Sequence, residues 1–231
     1  MSGLFLILII GTFALSGWAA FRVRRIVARY SEMPGTSGYT GAEAAARILQ
    51  TAGINDVDIY EHNEMLGDHY DPIHKRLVLS SGNYHGTSPA ALGIAAHECG
   101  HAIQHKAAYA PLQMRMAAVG LTNFANQIVM WLPLIGIFTG LVRPYTGMML
   151  MALAWGVIMA FNLVTLPVEF DASRRAKLIL DKMGFVRTEE EKGAVNKVLN
   201  AAAWTYVAAF ITSLAYFLWH LLPLLLGRRD E

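Results

Sequence analysis

The sequence predicts a mainly α-helical, multi-pass membrane protein: about four transmembrane helices plus a small α+β region that carries a His-Glu-x-x-His helix. Three observations lead there. Four apolar runs are each long enough to cross a bilayer, basic residues concentrate on alternate connections, and the turn-rich and strand-rich stretch lies between the first two runs. Composition agrees. Of 231 residues, 55% are hydrophobic and 16% charged, against about 25% charged in a soluble domain, and the mean hydropathy is +0.37. The chain is short of residues to cover a surface in water, and the partner this implies is the lipid bilayer. With 8 Pro and 20 aperiodic Gly it is neither disordered nor collagen-like, and its sole cysteine, Cys99, excludes an internal disulfide. A net charge of +2 gives no footing for nucleic acid, and no oligomeric state follows from the sequence.

A hydrocarbon core of about 30 Å needs about 20 apolar residues in a helix. The first run, Leu4 to Phe21, is followed at once by Arg22, Arg24 and Arg25. A cleaved signal peptide carries its charge before the apolar run, so residues 1–21 read as a retained anchor with its N-terminus outside. The second run, roughly Ala117 to Leu141, opens with Thr122, Asn123, Asn126 and Gln127, and the competing reading, a buried core helix, suits it better than the other runs. The third spans Met148 to Val168, which makes 117–168 a transmembrane hairpin. The fourth, Ala201 to Leu226, leads into the tail of a C-terminal segment, 201–231. Lys and Arg number nine in 22–116 and seven in 169–200, against Arg143 in the short turn and Arg228 and Arg229 in the tail. The positive-inside rule therefore puts 22–116 and the helical segment 169–200 on the cytoplasmic side of a cell membrane.

Within 22–116, Thr40 and Glu43 form a capping box that opens a helix through Ile48 to about Thr51, where Gly53 ends it. Val57 to Tyr60 and Leu77 to Ser80 read as short strands around a turn-rich stretch, 61–74. Ser88 caps a further helix with Pro89 at its first position. Thr188 with Glu189, Glu190 and Glu191 forms another capping box, at the start of the last helix.

The helix after Ser88 holds His97-Glu98-Cys99-Gly100-His101. Histidines at i and i+4 lie about 40° apart around a helix and about 6 Å along it, so both imidazoles reach one tetrahedral Zn²⁺. Glu98 sits beside such an ion without ligating it, the place for a general base acting on a metal-activated water. The competing reading, two surface histidines, fits poorly with the small apolar residues from Ala90 to Ala96 and with Gly100 inside the helix. Cys99 points about 200° away from His97 and reads as packed.

A catalytic zinc site needs a third protein ligand and an open position. His105 lies about 80° from His97 and some 12 Å along the axis, which leaves it as an orienting partner or a surface residue. Glu169 is the better candidate, since it follows the third run, and a hairpin of runs two and three returns it to the face that holds His97 and His101. The plainer reading of such a residue is an interface marker. Asp171 lies about 200° from Glu169. Ser173 shares Glu169's face and is placed to orient a ligand histidine. Tyr84, His85 and Arg174 are the candidate oxyanion donors, each otherwise an ordinary loop or surface residue.

The stretches Thr40-Gly41-Ala42-Glu43, Ala95 to Gln104 around the histidines, and Leu166-Pro167-Val168-Glu169-Phe170-Asp171-Ala172-Ser173-Arg174-Arg175-Ala176 resemble the YugP-type membrane zinc peptidases over nearly the whole chain. That family is similar in plan to HtpX-type endopeptidases. The resemblance implies one catalytic Zn²⁺ held by His97, His101 and Glu169, with Glu98 as general base, in a metalloendopeptidase acting on peptide or membrane-protein substrates. The HtpX-like pattern has an Asp four residues after its ligand Glu. Ser173 stands there in this chain, so an Asp-to-His bond does not carry over. The motif helix is too polar to span, which sets the expected cleavage at the cytoplasmic membrane surface. By analogy Leu77 to Ser80 is an edge strand that pairs with substrate; an ordinary core strand is the other reading. The competing function is a zinc-stabilised, non-catalytic membrane scaffold or adaptor.

Overall fold

Helix dominates wherever the apolar runs leave the backbone no partner but itself, and the short strands are confined to the segment between the first two runs. The computed structural model describes residues 2–63 and 67–227, so Arg228 and Arg229 of the tail lie outside the described residues, as does part of the stretch 61–74. In chain order the elements are α1 (Ser2–Ser31), α2 (Gly41–Thr51), β1 (Asp58–His62), β2 (His69–Asp71), β3 (Arg76–Ser80), α3 (Ser81–Tyr84), α4 (Pro89–Lys106), α5 (Ala110–Thr139), α6 (Pro144–Lys182) and α7 (Glu189–Leu226). Helices α1, α5, α6 and α7 are each long and apolar enough to cross a membrane, and each continues beyond the apolar run that announces it. The chain divides into two compact units.

The first unit comprises Met1–Gly17, Gln113–Leu166 and Tyr206–Glu231. Its helices turn large apolar side chains outward: Phe13 is 80% exposed and Phe138 83%. Among many such residues, these make an apolar surface that a water-soluble monomer would not tolerate. Membrane association follows, and with it the second run is a lipid-facing helix rather than a core one. Some polar side chains inside the unit bond to one another or to backbone. Asn162 Nδ2 donates to Ala209 O (3.2 Å) and Ser213 Oγ (3.0 Å), and Trp155 stacks on Tyr216 with ring centroids 4.6 Å apart.

The second unit comprises Trp18–Leu112 and Pro167–Thr205. Both sides of the Thr40–Glu43 capping box are made, and Ser88 Oγ accepts from Ala91 N at 3.2 Å. Gly53, in the left-handed region at φ +65°, closes α2, with Gly53 N bonded to Gln50 O and Ile54 N to Leu49 O. One face of α4 is built of Ala91, Ala95, Ala96, Cys99 and Ala102, all buried. Small side chains there let Ile48 and Leu49 of α2, Leu77 and Leu79 of β3, Leu180 of α6 and Leu199 of α7 join one core around it. Each fully buried leucine contributes about 1.5–3 kcal/mol.

The sheet corrects the edge-strand expectation. Its order is β1-β3-β2, with β1 parallel and β2 antiparallel to β3. β3 is therefore the central strand, and its core-facing alternation, Leu77 and Leu79 buried, is that of a core strand. On the β2 side, where the ladder stops at Val78, Asp68 Oδ1 accepts from Ser80 N at 2.8 Å. The extra strand comes from the stretch read as turn-rich, where His69-Tyr70-Asp71 is too short to show a period.

Glu191, 1% exposed, does more than complete its capping box with Thr188. Its carboxylate also accepts from Arg187 N (2.7 Å), Thr36 N (2.6 Å) and Thr36 Oγ1 (2.9 Å), which ties the loop after α1 to the start of α7. Replacing Glu191 with Leu leaves these donors buried and unmatched. The expected loss is about 2–4 kcal/mol, read as a lower thermal midpoint in detergent, whereas the exposed Glu190→Gln changes stability by less than about 0.5 kcal/mol.

Candidate metal centre

Helical periodicity puts His97 and His101 one above the other on α4, and their rings meet edge to face with centroids 4.8 Å apart. Glu169, 1% exposed, comes from α6. Its Oε2 lies 3.3 Å from His97 Nε2 and 3.6 Å from His101 Nε2. One donor atom from each of the three residues lies within 4.8 Å of the other two. The approach of the helices depends on Gly100: a Cβ there would sit 2.8 Å from Ala172 O and 3.1 Å from Ala172 Cα. That is the packing reason for a glycine in mid-helix.

The far nitrogens of both rings are engaged. His97 Nδ1 is 3.2 Å from Ser173 Oγ, and His101 Nδ1 is 3.0 Å from Gln104 Oε1. Both Nε2 atoms thus face Glu169 while Nδ1 is held from behind, the arrangement typical of metal-ligating histidines. Burial works against the imidazolium form of His101, but Glu169 beside it, helped by the charge of Glu98, outweighs burial and raises its pKa above the ordinary histidine value. Glu98 is itself buried in α4.

The donor set fits zinc. A tetrahedral ion with bonds of about 2.0–2.1 Å holds its ligand atoms about 3.3–3.4 Å apart, close to the 3.3 and 3.6 Å found here. Two imidazole nitrogens and one carboxylate oxygen form a set that zinc enzymes use with a fourth position left open.

The remaining sequence-derived candidates are engaged elsewhere. His105 Nδ1 is 2.9 Å from Tyr70 OH and lines a cavity of about 470 Å³ with Tyr70, Asp56, Lys75 and Lys106, so it orients neither ligand histidine. Tyr84 packs against the core and the ring of His85. His85 pairs with Glu61 at 3.2 Å, and Arg174 pairs with Asp171. Cys99 Sγ contacts Ala45 O, and burial pushes its thiol pKa far up, as expected of a packed cysteine. Sequence reasoning missed Gln104. An amide three residues after His101 identifies no role until its acceptors on α6 are known.

Comparison with known proteins adds two findings. Residues 5–225 match the family model described as "Putative neutral zinc metallopeptidase". The chain is 43% identical over 229 residues to "Putative membrane protease YugP" of Bacillus subtilis (strain 168), a match covering 99% of each chain. No solved structure matches it with significance.

Two outcomes follow from the geometry. Gly100→Ala forces α4 and α6 apart, costing about 1–3 kcal/mol and weakening zinc binding in equilibrium dialysis. Gly193→Ala, whose Cβ meets nothing within 4 Å, leaves zinc binding intact and stabilises by up to about 1 kcal/mol. Because Glu169 raises the pKa of His101, protons compete with zinc for the ring at a higher pH than for an ordinary histidine. Calorimetry in buffers of different ionisation enthalpy should then show proton release on binding, and zinc affinity should fall as pH drops through the histidine range.

Proposed function

The chain belongs to the neutral zinc metallopeptidase family, and from that premise we propose that it is a membrane-embedded zinc endopeptidase. It hydrolyses peptide bonds of peptide or membrane-protein substrates at the cytoplasmic membrane surface. The observation that carries this reading is the convergence of His97 Nε2 and His101 Nε2 on Glu169 Oε2, at 3.3 and 3.6 Å. His97, His101 and Glu169 would hold that ion, with Ser173 behind His97. Zinc, when bound, supplies the Lewis acidity that acidifies water and polarises a carbonyl.

The chain's own residues do the rest. Glu98, next to His97 and shielded from bulk water, accepts a proton from the attacking water. It returns that proton to the departing amide nitrogen as the C–N bond breaks, so one carboxylate serves both halves of the reaction. The positive-inside distribution of Lys and Arg supports a cytoplasmic site. The scaffold alternative calls for a site closed by four protein ligands. Among the described residues the cluster has three, and a scaffold gives a buried Glu98 no task.

Glu98→Gln should lower cleavage about 10²–10⁴-fold while zinc content, by elemental analysis, stays near one per chain. His97→Ala and Glu169→Ala should lose both. Mass spectrometry of membranes holding wild type or Glu98→Gln identifies the products. Zinc lost in Glu98→Gln, with no wild-type proteolysis detected, would favour the scaffold.

A further inference from the structure

We propose that Gln104 is a positioning residue for the metal centre: its one amide fixes which nitrogen of His101 is free and which stretch of α6 lies beside it. This deepens the metal-centre reading above and rests on it.

Gln104 is 0% exposed, yet every polar atom of its side chain is used. Nε2 donates to Val168 O at 2.8 Å and to Asp171 Oδ2 at 3.0 Å. Both partners are acceptors, so both amide hydrogens are committed to them. Turning the amide over would set Oε1 against a carbonyl and a carboxylate, and the flip is forbidden in a buried site. Oε1 must therefore face His101 Nδ1, at 3.0 Å. An acceptor there requires the hydrogen on Nδ1, so the neutral ring that a metal binds carries its lone pair on Nε2, the atom 3.6 Å from Glu169 Oε2. Tautomer and aim of His101 follow from the pinned amide.

The pin also reads the chain position of α6. Val168 precedes Glu169 directly and Asp171 follows two residues later, so the side chain that orients one ligand grips the backbone beside another. A slip of α6 by one residue would break both amide bonds as well as misplace the carboxylate. Asp171 is kept in place by Arg174 and Arg175, which donate to it on the same helix. This gives Arg174 a role in holding the amide's anchor.

The test uses the full-length protein in detergent, with Zn²⁺ affinity measured by chelator competition and the Co²⁺ form followed by visible absorption. Gln104→Met keeps length and removes every bond, and it should weaken Zn²⁺ binding about 10–100-fold with an altered Co²⁺ band. Asp171→Ala removes one of the two acceptors that hold the amide, and it should weaken binding too, by less than Gln104→Met. The double variant should be no weaker than Gln104→Met alone, because the two residues act through one group. A residue that merely glued helices together would lower the thermal midpoint of each metal-free variant and leave the Co²⁺ band of the loaded protein as in wild type. Additive losses, or Gln104→Met binding Zn²⁺ like wild type while His97→Ala does not, overturn the proposal and leave the metal centre standing. Wild type that binds no metal, or binds it as His97→Ala does, overturns the metal centre and this inference with it. Should Gln104→Met fail to fold, Asp171→Ala decides alone: unchanged Zn²⁺ affinity and Co²⁺ band in that variant overturn the proposal.

Discussion

A carboxylate almost wholly withdrawn from water, facing two imidazole nitrogens, is the constraint around which the second unit is arranged. An ionised group so deeply buried is tolerable only beside positive charge. In the metal-free protein Glu169 favours the charged form of His101, raising its pKa; with zinc the ion would supply the charge. Either way α4 and α6 must approach to backbone contact. The small face of α4, and above all the missing Cβ of Gly100 against Ala172, makes that approach sterically open. The hydrophobic core and the polar site are thus one construction, since the face that packs on α2, β3 and α7 belongs to the helix that presents the imidazoles.

Much of this was legible in the sequence because it obeys local rules. Four apolar runs of spanning length, the Thr40–Glu43 and Thr188–Glu191 capping boxes and the i, i+4 histidines all depend on residues within a turn or two of each other. Glu169 was legible for another reason: counting apolar runs says which chain ends return to the same side, and that arithmetic needs no contact map. Ser173, one turn beyond Glu169, inherits its face from the helix period, and it lies 3.2 Å from His97 Nδ1.

What escaped the sequence is non-local or too short to carry a period. The three residues of β2 show no alternation, and without β2 the strand β3 looks like an edge. Pairing on both sides hides it, so extended substrate cannot add to β3 as the analogy suggested. The contact of Glu191 with Thr36 joins residues 155 positions apart. His105, by spacing a near neighbour of the site, is drawn instead to Tyr70, a partner 35 positions away. Gln104 escaped because a lone amide on an apolar helix face has no signature until its acceptors on α6 are known.

The two histidines are restrained in unequal ways, and the difference follows from the chemistry of their partners. Ser173 carries a hydroxyl that rotates and can donate or accept, so it accommodates either state of His97 Nδ1. Gln104 has no such freedom, because its hydrogens are spent on Val168 and Asp171 before His101 is considered. One ring is held by an adaptable contact and the other by a fixed one. Under the proposed function, which requires the site to accept an ion and then substrate at an open position, that asymmetry would be useful. In the zinc site proposed above, the rigidly held ring would set where the ion lies relative to Glu169, and the adaptable one would absorb the small ring movements that a change in coordination demands.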